Sequence, residues 1–273
     1  MNRLIYKLFI VLNSEKHGSA RFNIALMLLK NIDAIKYSNI QMLAEICNCS
    51  IATMSRFFRD LEYDDFSHYK DSIRQATEEG RYHSVLNAKL IDYRIEFDEY
   101  KKMYENEISK GIEDLFSSIS IETIDRLAKD IHNYKQVAAF GLLHSQYQVM
   151  SFQAKMVKMN KVIISFQEPE EQKQYIHNAN KDDLIMIFSL SGNYVTNTLF
   201  DHVFPDTYIK NTKAKIVLIT SNREFKHKEL ADEIIYIGKD ASPDNYKFMN
   251  NYYNNFITDL IAYRYDYLFT ARR

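Results

Sequence analysis

Residues 38–61 read SNIQMLAEICNCSIATMSRFFRDL, two short helical patterns joined by a tight turn. Ser38 is expected to cap the first helix, with Gln41 three positions on completing a capping box, because hydroxyl and amide satisfy each other's orphan backbone N–H groups. Ile40, Leu43, Ala44 and Cys47 then fall on one face at 3–4 residue spacing. Asn48 stands at the turn, where a residue tolerant of positive φ is needed. Ser50 is expected to cap the second helix, whose buried side is Met54, Phe57, Phe58 and Leu61. Ser50, Ala52, Thr53, Ser55, Arg56 and Arg59 are left facing outward. This is the layout of a helix-turn-helix, whose second helix enters the DNA major groove. A helical hairpin buried in a core is the alternative that spacing alone leaves open. In the DNA reading, Arg56 or Arg59 contacts phosphate or a guanine edge, and Ser50, Thr53 and Ser55 contact phosphate or base. Arg56 can instead pair with Asp60 at i+4.

The wider segment 22–70 resembles the N-terminal domain of the RpiR family of bacterial transcription regulators. Leu43-Ala44, Ser50, Ala52-Thr53, Arg56-Phe57, Leu61, Phe66 and Lys70 carry the resemblance, while Glu62 stands where the family usually has Gly. The resemblance implies a DNA-binding domain.

At 273 residues the chain has room for one large domain or two smaller ones. Its 46% hydrophobic and 26% charged content suits a globular protein, and six glycines with three prolines suit long helices and sparse loops. A net charge of −1 argues against non-specific coating of nucleic acid, so DNA contact must come from a local patch. No stretch approaches the roughly 18 apolar residues of a membrane span. The apolar run near the N-terminus is broken by Lys7 and lacks a small-residue cleavage site, so it reads as a helix packing on the DNA-binding domain. Cys47 and Cys49, the only cysteines, are too close for an unstrained disulfide and lack partners for a zinc site. They read as thiols at the helix junction in a reducing cytoplasm, and no metal or cofactor is expected.

Residues 1–80 are expected to form the helix-turn-helix domain, 81–115 a helical connector, and 116–273 a second domain. Ser120 is expected to cap a helix lined by Ile121, Ile124, Leu127, Ala128 and Ile131. Beyond residue 135, apolar runs of strand length alternate with helical patterns: QVAAFG, KVIISF, DLIMIFSL, KIVLIT and EIIYIG. Strands apolar throughout and separated by helices predict a parallel five-stranded sheet covered on both faces, an α/β three-layer sandwich. A last helix over about 244–269 carries Met249, Tyr253, Phe256, Leu260, Tyr263 and Tyr267 as a heptad-like stripe, for the core or for a dimer seam.

In an open α/β sheet, ligands bind beyond the carboxyl ends of the strands. One strand here ends in Ser189-Leu190-Ser191-Gly192-Asn193, and another in Gly141-Leu142-Leu143-His144-Ser145. Ser-x-Ser-Gly after a buried strand resembles the sugar isomerase (SIS) phosphosugar-binding domain, and the similarity spans about 120–265. The resemblance implies that Ser145, Ser189 and Ser191 ring a sugar phosphate, with main-chain groups near Gly192 and Asn193 completing the cradle and His144 beside it. Leu143 stands at the family's second Gly, and Tyr194 at its Thr, departures expected to narrow the pocket. For isomerisation a general base is needed. Glu168, Glu170, Glu171, His144, His177 and His202 qualify by type only, so the chain is expected not to be an enzyme and no residue is assigned a catalytic role.

The combined expectation is a cytoplasmic homodimeric regulator that reads a pseudo-palindromic operator in double-stranded DNA and responds to a phosphorylated sugar. The alternatives are a sugar-phosphate isomerase and an interaction module with both sites vestigial.

Overall fold

The computed structural model describes residues 3–35, 37–61, 63, 66, 67, 69, 70, 96–142, 144–196, 207–238 and 250–270. The chain divides into two compact units, Met1–Leu86 and Asn87–Arg273.

The first unit contains α1 (Arg3–Ser14), α2 (Ala20–Lys30), α3 (Ile32–Ile35), α4 (Ile40–Ile46) and α5 (Ile51–Asp60). Leu4, Leu8 and Val11 of α1 recur at helical spacing and enter one core with Ile24 and Leu28 of α2, Leu43 and Ala44 of α4, and Met54, Phe57 and Phe58 of α5. The residue that interrupts the apolar run of α1 has its own task. Lys7 is buried, and its Nζ donates to the carbonyl of Leu61 at 2.9 Å. A cation there meets the negative end of the α5 dipole and an orphan carbonyl together.

One expectation shifts by a residue. Asn39, not Ser38, is the N-cap of α4, its side chain accepting from the Met42 N–H at 2.9 Å. Ser38 is buried instead, and Gln41 reaches along the surface toward Glu45, so no capping box forms. Both residues are good caps, and the packing of the preceding turn decides which one begins the helix.

The second unit opens with α6 (Phe97–Ser118) and α7 (Ile121–Asn133), followed by β1 (Gln136–Gly141), α8 (His144–Val157), α9 (Pro169–Asn178), β2 (Asp183–Phe188), α10 (Asn193–Thr196), α11 (Thr207–Lys210), β3 (Lys215–Thr220), β4 (Glu233–Tyr236) and α12 (Asn250–Phe269). Ser120 caps α7 by accepting from the Thr123 N–H, and Ile124, Leu127, Ala128 and Ile131 are buried. Ile121 is exposed, contrary to its place in the expected stripe.

The four strands pair in parallel in the order β1-β2-β3-β4. The expected fifth strand is reduced to one parallel bridge between Ala138 and Ile164 on the free edge of β1. Two bonds make it: Ile164 N–H to Val137 O at 2.8 Å, and Ala139 N–H to Ile164 O at 2.9 Å. With this segment counted, the five runs lie across the sheet in the sequence order second, first, third, fourth, fifth. That is a doubly wound order whose switch point falls between β1 and β2.

On one face of the sheet Val137, Ala139, Leu184, Met186, Phe188, Val217 and Ile219 pack with α7, α8 and α12. On the other, Phe140 meets Tyr175 of α9 edge-on at 5.7 Å between ring centroids. Both faces are covered, so β1, β2 and β3 are buried along almost their whole length, while the edge strand β4 is mostly half-buried. The stripe expected on the last helix drifts off its face. Tyr253, Ile257, Ile261 and Tyr265 are the buried positions, whereas Tyr263 and Tyr267 are exposed. Met249 lies outside the described residues. No helix among the described residues is long and apolar enough to cross a membrane.

Candidate functional site

Two sets of candidate residues stand out, one in each unit. In the first unit the turn between α4 and α5 has Asn48 at φ 49°, the left-handed conformation expected of it. The Cys49 N–H donates to Ala44 O at 2.9 Å and closes α4. Ser50 caps α5, accepting from the Thr53 N–H at 3.1 Å, and its hydroxyl lies 2.9 Å from that of Thr53. Ser50, Ala52, Arg56 and Arg59 are exposed, and Thr53 and Ser55 are partly exposed. Asp60 pairs with Arg21 of α2, not with Arg56. Arg21 also holds Glu15 at 2.6 Å. Neither Arg56 nor Arg59 makes an ion pair among the described residues, and both are exposed on the outer face of α5. Burial, and then neighbouring Cys49, pushes the Cys47 thiol up to about 12, the behaviour of a small core side chain. Among the described residues no group of three or more His, Cys, Asp or Glu is placed to hold a metal ion.

In the second unit the polar residues gather at the switch point, beyond the carboxyl ends of β1 and β2, whose last residues Gly141 and Phe188 are partners in register. Gly141 is required there. A Cβ would lie 2.6 Å from that of Ser145 and 3.2 Å from the Phe188 carbonyl oxygen, so any side chain would push α8 off the strand. Gly192 turns the next loop at φ 80°, with the Phe225 ring where its Cβ would be.

The three candidate serines share one arrangement. Ser189 Oγ accepts from the Tyr194 N–H at 3.2 Å, Ser191 Oγ from the Asn193 N–H at 3.3 Å, and Ser145 Oγ from Asn254 Nδ2 at 2.9 Å. A hydroxyl has one proton to give. Each oxygen is engaged as an acceptor by a protein N–H, and among the described residues none of the three hydroxyls donates a hydrogen bond, so each has a proton to offer a ligand. The backbone N–H groups expected to complete the cradle are used within the loop: that of Gly192 bonds Ser189 O at 2.9 Å, and that of Asn193 bonds Ser191. His144 is exposed at the start of α8 and Asn193 is partly exposed. Leu143 and His202 lie outside the described residues.

Sequence reading missed the residues that hold these loops. Gln172 of α9, with no exposed surface, donates to Phe166 O at 2.7 Å and Gly141 O at 3.2 Å and accepts from the Tyr194 phenol at 2.9 Å. Asn222 donates to Ser191 O at 2.9 Å, and Thr220 and Ser221 donate to Leu190 O. The run Thr-Ser-Asn at the end of β3 was the available signal, since a polar cluster beyond a buried strand resembles the loop it supports. Asn254 offered none.

No family model matches the sequence. A protein of Providencia stuartii, named an uncharacterized HTH-type transcriptional regulator in the aarA 3' region, is 26% identical over 197 residues, covering 71% of this chain and 67% of that one. The Vibrio vulnificus NanR protein complexed with ManNAc-6P matches in fold at a TM-score of 0.50 with 15% identity, covering 98% of this chain and 93% of that one. The RpiR transcription factor of Sphaerobacter thermophilus (sugar isomerase domain) aligns at a TM-score of 0.47 with 10% identity, covering 63% and 91% of the two chains.

The chain is thus a helix-turn-helix domain followed by a SIS-like α/β domain. This is an RpiR-family-like architecture.

Other structures of like fold are phosphosugar isomerases by name. A phosphoheptose isomerase from Francisella tularensis aligns at a TM-score of 0.47 with 16% identity, covering 63% of this chain and 99% of that one. Such names recur. The expectation that the chain is no enzyme is therefore withdrawn, since proteins named as phosphosugar isomerases are among those of like fold.

Proposed function

We propose that the chain is a DNA-binding transcriptional regulator of genes for sugar uptake or metabolism, controlled by a phosphorylated sugar bound at the switch point of the α/β sheet. Residues 1–80 bind DNA, 81–115 connect, and 116–273 bind the effector. The observation that carries the reading is the serine cluster. Three hydroxyls, each held as an acceptor and each with a proton to give, suit a group with several anionic oxygens. The outward Arg56 and Arg59 on a capped α5 support the DNA half, as do the regulator names of the sequence relatives. The ManNAc-6P held by a protein of like fold supports the ligand class.

The chain acts in the cytoplasm as a homodimer whose two α5 helices enter successive major grooves of a pseudo-palindromic operator. Arg56 and Arg59 contact phosphate or guanine, and Ser50, Thr53 and Ser55 contact phosphate or base. His144, Ser145, Ser189, Ser191, Gly192 and Asn193 form the effector site. The effector changes DNA affinity only through its different affinities for two dimer geometries.

A thermal-shift screen against sugar phosphates and their unphosphorylated counterparts tests the reading. Ligand at about a hundred times its dissociation constant stabilises the protein by about 2.7 kcal/mol. A shift restricted to a phosphorylated sugar, and a change in operator affinity with that compound, are expected. No shift with any compound overturns the ligand assignment. The isomerase names favour a second reading, turnover of a sugar phosphate at the same site, with His144 beside Ser145 as the candidate base. An aldose–ketose interconversion assay on the same compounds decides it.

A further inference from the structure

Asn254 lies on α12, 109 residues along the chain from Ser145, and is 2% exposed. Its amide has two ends. The NH2 faces Ser145 Oγ at 2.9 Å, and Oδ1 is buried with no hydrogen-bond partner. Buried polar atoms are almost always paired, and one left unpaired calls for an explanation. If the pair served only to hold α12 against α8, apolar side chains of similar shape at both positions would serve nearly as well. The orientation has a chemical consequence. With the NH2 toward Ser145 the serine is an acceptor and its proton is available elsewhere; with Oδ1 toward Ser145 the serine would spend that proton on the amide.

We propose that Asn254 is a positioning residue of the ligand site, fixing Ser145 as a hydrogen-bond donor to the phosphate of the bound sugar. The proposal rests on the phosphosugar reading above and extends it to a residue that neither loop contains. Asn254 does for Ser145 what backbone N–H groups do for Ser189 and Ser191, so that all three serines present a proton to one anion. Asp at this position has nearly the same shape but the opposite hydrogen-bonding sense. Its carboxylate would take the Ser145 proton and set a negative charge beside the phosphate.

The test is calorimetric titration of the full chain with ManNAc-6P, glucose 6-phosphate, fructose 6-phosphate and ribose 5-phosphate, the tightest binder then serving as probe for the variants. Asn254→Asp is expected to weaken the probe by about a hundredfold or more at pH 7.5. It should recover as pH falls toward 5, because the protonated acid again donates to Ser145. Wild type should show no such recovery. Titratable groups on these two helices include His144, Tyr147, Lys155, Tyr253 and Asp259, with Lys155 and Asp259 paired at 2.6 Å, and all are present in both proteins. Asn254→Ala should cost about tenfold in a wild-type background and little in Ser145→Ala, because the residue acts through that hydroxyl. This cycle decides the matter if the Asp variant does not fold. Equal binding by wild type and both Asn254 variants, or additive losses in the cycle, overturns the assignment and leaves the phosphosugar reading intact. Failure of wild type to bind any of the four sugars overturns that reading, and the role of Asn254 with it.

Discussion

The phenol of Tyr194 donates to Oε1 of Gln172 at 2.9 Å, inside the domain. Tyr194 stands where the SIS resemblance has a small hydroxyl residue. Its bulk is taken up by this interior contact, and its carbonyl accepts from Tyr208 Oη at 3.0 Å. Through Gln172 the loop after β2 is tied to the end of β1 and to the edge segment at Phe166. Tyr194→Phe leaves Gln172 Oε1 buried and unpaired, a loss of about 1–3 kcal/mol. The melting temperature should fall by about 2–4 °C per kcal/mol. Tyr194→Thr, which restores the family pattern, should destabilise more, because it also empties the volume of a buried ring. Thermal melts of the three proteins check the order.

Ser191 is partly exposed, and its hydroxyl accepts a single loop bond. Ser191→Ala should leave the melting temperature of the free protein within a degree or two. A hydrogen bond to a charged group is worth about 1.5–3 kcal/mol, so sugar-phosphate affinity should fall about ten- to a hundredfold. Calorimetric titration reads both arms.

Arg56 and Arg59 are exposed, so alanine at either should change stability by less than about 0.5 kcal/mol. Operator affinity should fall for both. The residue that contacts phosphate also lowers the salt dependence of binding by about one ion, whereas one that contacts guanine relaxes sequence preference by about 1–3 kcal/mol. Fluorescence anisotropy at several salt concentrations, on operator and scrambled duplexes, separates the two roles.

Lys7→Met keeps the stem of the side chain but removes the cation on the Leu61 carbonyl. A loss of about 1.5–3 kcal/mol is expected, read as a lower urea midpoint of the first unit. Fraying at the end of α5 should show as faster amide exchange near Leu61.

Acid should loosen the second unit. Burial raises the Glu233 carboxyl, but hydrogen bonds from Arg126 and Lys215 outweigh it, and the net shift is downward. The sign follows from linkage. A carboxylate depressed in the fold contributes stability above its unfolded value, about 4.3, and loses that contribution as pH falls through its folded value. Glu233→Gln should therefore destabilise at pH 7 and flatten the dependence of the melting temperature below about pH 4.3.

The local parts of this protein are legible in its sequence. Asn48 takes positive φ, Ser50 caps α5, and Met54, Phe57, Phe58 and Leu61 are buried, because periodicity and capping depend on residues within one or two turns. The buried strands and the serine loops beyond them could be read for the same reason. Ser38 and Asn39 were interchangeable on local grounds, and packing chose between them. The stripe on α12 holds for Tyr253, Phe256 and Leu260 but not for Tyr263 and Tyr267, because packing in the core with α7 and α8 follows the row Tyr253, Ile257, Ile261 and Tyr265.

What tertiary structure alone decided is the polar scaffold of the site. Gln172, Asn222 and Asn254 are unremarkable amides in polar stretches of sequence. Only when the chain crosses from β1 to β2 at the switch point do their side chains come within hydrogen-bonding distance of the loops they hold. A hydrogen bond depends on distance in space, and local pattern along the chain carries no information about partners 31 or 109 residues away.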